Sequence, residues 1–135
     1  MYQKILIPIA PDHIDAVPES IAAARVLADE GATIHALSVL EVIPNYVSTE
    51  IPYEVYERSC GETQTRLEAA FQDLPEAKIS AEIGSPSSKI LDVVKEGGYD
   101  LIVIRSHKPG LQDWFLGSTT GKVLRHAPCS VHVLR

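Results

Sequence analysis

Strands and helices in near-strict alternation predict an α/β protein, with an open, five-stranded parallel sheet covered by helices on both faces. Three observations carry this prediction. The runs 5–10 (ILIPIA) and 101–104 (LIVI) are apolar without polar alternation, as strands covered on both faces must be. Segments with apolar residues at helical spacing lie between the strand-like runs. Glycine and proline mark the changes from one to the other, at Gly31, Pro75, Gly84-Ser85-Pro86, Gly97-Gly98 and Pro128.

In chain order, the first strand is 5–10, and Pro8, which lacks an N–H, belongs near its end. Pro11-Asp12-His13 makes a turn, Asp15 can cap a helix, and Pro18 costs little in that helix's first turn. Val17, Ile21, Ala24 and Ala28 form its buried face, and Gly31 ends it. The run 33–40 (TIHALSVL) is the second strand. The stretch 41–56, with Pro44, Pro52, Tyr46, Tyr53 and Tyr56, reads either as a flap or subunit contact, or as an irregular loop packed for its own stability. A helix over about 54–74 buries Leu67, Ala70, Phe71 and Leu74, and Pro75 stops it. KISAEI (78–83) alternates, as an edge strand does. Ser85 and Pro86 open the next helix, Ile90, Leu91 and Val94 make its buried face, and Gly97-Gly98 closes it before the fourth strand. A last helix begins around Gly117 and carries Val123 and Leu124. SVHVL (130–134) is the fifth strand, in which His132 alternates with Val131 and Val133, so that one face is less buried or meets another subunit.

With 135 residues, 45% of them hydrophobic and 22% charged, the chain has the size and composition of one globular domain, residues 1–135. A net charge of −6 and no basic stripe argue against nucleic-acid or anionic-lipid partners. Cys60 and Cys129 lack ligand spacing, and His35, His126 and His132 form no metal-site pattern. No cleavable signal pattern precedes the first strand, and no run approaches the roughly 20 apolar residues of a membrane span, so the expected location is cytoplasmic.

Where strand order reverses, between the first and fourth strands, a crevice should open at their carboxyl ends. Pro8 to Asp12 and Arg105 to Gly110 would line it from opposite sides. A helix starting at Gly117-Ser118-Thr119-Thr120 adds unpaired N–H groups, the positive end of its dipole and hydroxyls, a combination that suits an anion. Neither a phosphate-loop motif nor a dinucleotide fingerprint is present. Two readings remain at this level: a phosphate or nucleotide site, or a glycine needed for a tight loop followed by an ordinary serine cap.

The segment SHKPGLQDWFLGSTTGKVLRHAPCSVHVL (106–134) resembles the C-terminal signature of the universal stress protein family, in particular small single-domain bacterial members with a serine-histidine-x-proline loop. KILIPIA, GSPSSKIL and GYDLIVI are similar to that family's plan as well. The resemblance implies a Rossmann-like fold of the adenine nucleotide alpha hydrolase type with strand order 3-2-1-4-5. It also implies ATP as ligand, with Mg²⁺ held by the phosphates and water, and a homodimer formed through the last strand (Val131, His132, Val133). The implied role is regulatory: a nucleotide-sensing dimer in stress survival, acting on a protein partner such as a transporter. The alternative is a dimeric interaction module of the same fold that binds no nucleotide.

Carried over by position, the resemblance puts Pro8, Ile9 and Ala10 against the base, Leu40 near the adenine pocket, and Ile104 and Arg105 beside the ribose. Ser106, His107, Lys108, Pro109 and Gly110 lead to the phosphate-cradling Gly117, Ser118 and Thr119, followed by Thr120. The chain departs from ATP-binding members at Ala10, where they commonly carry an acidic residue and where Asp12 is the nearest carboxylate. It departs again at Arg105 and Lys108, which stand where those members have glycines.

His107 and Ser106 do not read as a catalytic pair, because neighbours in an extended chain point apart and no carboxylate is placed to orient the imidazole. The expectation is a binding protein rather than an enzyme, with at most slow ATP hydrolysis or autophosphorylation.

Overall fold

The computed structural model describes residues 1–42, 51–106 and 117–135. Its elements are β1 (Tyr2–Pro8), a 3₁₀ segment (Pro11–Ala16), α1 (Val17–Leu27), β2 (Ala28–Leu40), α2 (Tyr53–Ala70), β3 (Lys78–Ile83), α3 (Pro86–Gly97), β4 (Leu101–Arg105), α4 (Ser118–His126) and β5 (Ser130–Leu134). The five strands form one sheet in the order β3-β2-β1-β4-β5, with every pairing parallel. This is the Rossmann-like arrangement and strand order expected. KISAEI is an edge strand, as its alternation requires.

Strand alternation sends successive side chains to opposite faces and so divides the core in two. Ile5, Ile7, Leu101 and Val103 pack with Ile21 and Ala24 of α1 and with Leu67, Phe71 and Leu74 at the end of α2 and just beyond it. Leu6, Leu37, Val39, Ile102 and Ile104 pack on the other face with Ile90 and Val94 of α3 and Val123 of α4. Each fully buried aliphatic side chain contributes about 1.5–3 kcal/mol, so both helical layers are held by the sheet. Of the two apolar residues noted in the last helix, Val123 is buried and Leu124 is 38% exposed; the buried positions of α4 are Thr120 and Val123.

Two helix boundaries differ from the sequence reading. Helix α1 ends at Leu27, and Ala28 is already extended (φ −80°, ψ 137°) and paired with Tyr2 of β1. The β1–β2 register then shifts before Lys4 pairs with Thr33, and Gly31 (φ 78°) serves this irregularity rather than a helix terminus. Asp15 does not cap α1. It lies in the 3₁₀ segment that runs straight into the helix, and Ala16 stands at the cap position without a side-chain bond.

The β1–β4 ladder ends beside the crevice for a local reason. In a strand, successive N–H groups point to opposite neighbours. Ile9 N–H donates to the Leu37 carbonyl on the β2 side (2.8 Å), whereas the Lys4 carbonyl accepts from Asp100 N–H on the β4 side (2.9 Å). By this alternation the position of Pro8 should supply a donor to β4, and proline has none. The β1–β4 pairing accordingly comprises Ile5↔Leu101 and Leu6↔Ile102, while β1–β2 pairing continues to Pro8↔Leu37.

Toward the other end of the sheet, His35 is buried between two hydroxyls. Its Nδ1 lies 2.6 Å from Tyr99 Oη, and its Nε2 lies 2.6 Å from Ser80 Oγ. A neutral ring donates from one nitrogen and accepts at the other, which suits two hydroxyl partners. Burial, and then the nearby charge of Lys78, push its pKa down to about 4, with Lys4 acting the same way and Glu82 opposing. The unfolded chain takes up this proton near pH 6.5, before the folded chain does. Stability is therefore full above pH 6.5 and falls as the pH drops toward 4, by roughly 3 kcal/mol over the whole interval. Urea denaturation between pH 7.5 and 4 should show this loss, and His35→Gln should flatten it; an equally steep decline in the variant would assign it to other groups.

Candidate functional site

At the carboxyl ends of β1 and β4 the described residues enclose a cavity of about 340 Å³, within the size range of small-molecule sites. Leu37, Val39, Pro86, Ile90 and Ile104 form an apolar side. Pro8, Ile9, Ala10, Pro11, Asp12 and His13, with Ala16, Val17 and Ser20 beyond them, form the wall that follows β1. Arg105 and Ser106 at the end of β4, and Gly117, Ser118, Thr119 and Thr120 at the start of α4, form the opposite wall. Glu41 stands at the end of β2.

Leu40 is not among the lining residues. The cavity uses Leu37, Val39 and Glu41, and the period of two along β2 turns Leu40 to the other face. The expected roles of His107, Lys108, Pro109 and Gly110 lie outside the described residues.

Helix α4 is aimed by short-range bonds. Thr120 Oγ1 donates to the Arg105 carbonyl at 3.0 Å, with the Ser106 carbonyl 3.4 Å away. Ser106 N–H donates to the Leu134 carbonyl at 2.9 Å, joining the end of β4 to β5. The Thr120 hydroxyl is thus a structural tie, and its proton is committed within the protein rather than offered to a ligand. Ser118 and Thr119 face the cavity in the first turn of α4, where N–H groups have no intrahelical partner. Gly117 precedes them at φ 78°, ψ 156°, a conformation essentially confined to glycine.

Buried polar groups almost always have hydrogen-bond partners, so those without one call for an explanation. Among the described residues, four buried side-chain atoms lack a partner: His13 Nε2, Ser38 Oγ, Arg105 Nε and Ser106 Oγ. His13, Arg105 and Ser106 all line this cavity. His13 was not singled out by sequence. It lies in the 3₁₀ segment with its Nε2 3.8 Å from Asp12 Oδ2, and only folding turns it toward the crevice. Glu19, which pairs with Arg105 across the fold, carried no sequence signal either. No cluster of three or more metal-ligating side chains occurs among the described residues.

The fold and the cleft define an α/β protein with a ligand-sized pocket at the switch point of a parallel sheet. The chain belongs to the universal stress protein family, whose model matches residues 1–135. It is 27% identical over 146 residues to a universal stress protein of Methanothermobacter thermautotrophicus, covering all of this chain and 97% of that one. It is also 27% identical over 142 residues to universal stress protein G of Shigella flexneri, covering the whole of both chains. Among solved structures, the universal stress protein UspA from Lactobacillus plantarum aligns with a TM-score of 0.77 and 26% identity, over 99% of this chain and 98% of that one. A universal stress protein in complex with cAMP shares the fold at a TM-score of 0.60 and 19% identity, over 99% and 97% of the two chains. The Archaeoglobus fulgidus protein in complex with dAMP shares it at 0.56 and 13%, over 99% and 98%.

Because the backbone at Gly117 is closed to other residues, Gly117→Ala should lower the unfolding free energy by about 1–3 kcal/mol. Chemical denaturation checks this. Unchanged stability would mean that the positive φ is not maintained.

Proposed function

We propose that this protein binds an adenine nucleotide, with ATP as the principal ligand, in the cavity between β1 and β4. The reading rests above all on the grouping of His13, Arg105 and Ser106 around one pocket, each with a buried side-chain atom that makes no hydrogen bond. The apolar side formed by Val39, Ile90 and Ile104 suits a planar base. Asp12, beside His13 on the β1 wall, and Glu41 at the end of β2 place carboxylates at the cavity where Ala10 has none. The Gly117 backbone and the first turn of α4, with Ser118 and Thr119, suit phosphate oxygens. Mg²⁺ would be held by the phosphates and water. The cAMP and dAMP complexes of the two family structures support the same ligand class.

The physiological role we assign is regulatory. The nucleotide-loaded protein acts on a protein partner as a homodimer through β5, with at most slow turnover of ATP. On β5, Val131 and Val133 are half-buried against the core and His132 is exposed, leaving the outer strand edge available for pairing. A nucleotide-free interaction module is the second reading, and Ala10, which supplies no carboxylate on the β1 wall, favours it. The described part of the chain contains no helix long and apolar enough to cross a membrane.

Calorimetric titration of nucleotide-stripped protein should give micromolar ATP binding with a preference over GTP, and mass spectrometry of freshly denatured protein should release an adenine nucleotide. Neither signal would be seen for the interaction module. In light scattering, a dimer should have about twice the chain mass of 14.7 kDa; a monomer at tens of micromolar would remove the β5 interface from the proposal.

A further inference from the structure

Arg105 stands at the end of β4 with its backbone pinned, since its carbonyl accepts from Thr120 in the first turn of α4. The guanidinium is the part left to move. Its side chain is 15% exposed, and its Nη2 donates to Glu19 Oε2 of α1, whose own side chain is 69% exposed. The pairing is therefore asymmetric: a largely buried cation is held by a carboxylate that water already solvates well. An exposed carboxylate adds little to such a pair, and Arg105 Nε remains buried without a partner. The guanidinium, a planar fork of donors that suits phosphate oxygens, belongs to a residue lining the same cavity as the first turn of α4.

Resting on the nucleotide reading above, we infer that Arg105 sets the pocket's preference for phosphorylated ligands, and that Glu19 parks it until a ligand phosphate takes over the guanidinium. Binding then exchanges one ion pair for another rather than requiring a new cation to be buried. Glu19 acts as a positioning residue and does not touch the ligand.

The test is calorimetry with ATP and with adenosine on the wild-type protein, Arg105→Gln, Arg105→Lys and Glu19→Gln, with thermal melting to establish that each is folded. The wild type should favour ATP over adenosine. Arg105→Gln should cut that preference by about tenfold or more, and Arg105→Lys should restore part of it, because the charge returns without the fork. Glu19→Gln should raise the preference for ATP by about threefold by releasing the arginine. An unchanged preference in Arg105→Gln, or tighter ATP binding there, would make Arg105 a plug or a bystander and overturn this inference alone. Weaker ATP binding in Glu19→Gln would overturn the parking role. Absence of both ligands from the wild type and every variant would instead remove the nucleotide reading, and this inference with it.

Discussion

The functional end of this protein lies where strand order reverses between β1 and β4, and a missing N–H ends the ladder there. Pro8 occupies the position in β1 whose donor should face β4, and the β1–β4 ladder stops at Leu6↔Ile102 while the β1–β2 ladder continues. The strands remain in one sheet because Ile5, Leu6, Leu101 and Ile102 are almost wholly buried and their packing does not depend on the lost bond. The pocket lies beyond the end of this ladder. Its apolar side comes from residues already facing the α3–α4 layer, and its polar walls come from the chain leaving β1 and from the start of α4.

The opposite wall depends on tying α4 to the strand ends. Thr120 serves that purpose from inside the helix, bonding the carbonyl of Arg105 while Ser106 joins β5 through its N–H. A hydroxyl spent on positioning leaves the N–H groups at the start of α4, with Ser118 and Thr119, as the ligand-facing part. Gly117 then lets the chain turn into the helix at a backbone angle that a side chain would oppose. The site's chemistry and its mechanical support thus lie within four consecutive residues, with different tasks.

Arg105 illustrates how a position that reads as an obstacle in sequence changes meaning in the fold. A large cation where the family resemblance leads one to expect glycine suggests either a phosphate ligand or a blocked pocket. The structure places Ile104 toward the α3–α4 layer and pairs the Arg105 side chain with Glu19 of α1, on the sheet's other face. The cavity persists beside the arginine, with part of the guanidinium unsatisfied.

The architecture was legible in the sequence because it rests on local rules. Unbroken apolar runs mark central strands, alternation marks the β3 edge, and Ser85-Pro86 marks the start of α3. Membership of the universal stress protein family was legible too, in the run from Ser106 to the end of β5. Sequence was least reliable where two local preferences compete, as at Ala28, whose helical spacing yields to pairing with Tyr2, and at Asp15, a good cap in a segment that continues as a 3₁₀ turn. What the sequence determined by itself is the order of elements, their buried faces and the end of the sheet where a ligand would sit, because these follow from periodicity and from proline and glycine geometry. Only the tertiary structure decided which side chains meet there. His13 joining Ser106 at the cavity, Leu40 turning away, Thr120 becoming a tie and Glu19 reaching Arg105 are contacts between residues far apart in the chain, or consequences of strand phase, and no local pattern encodes them.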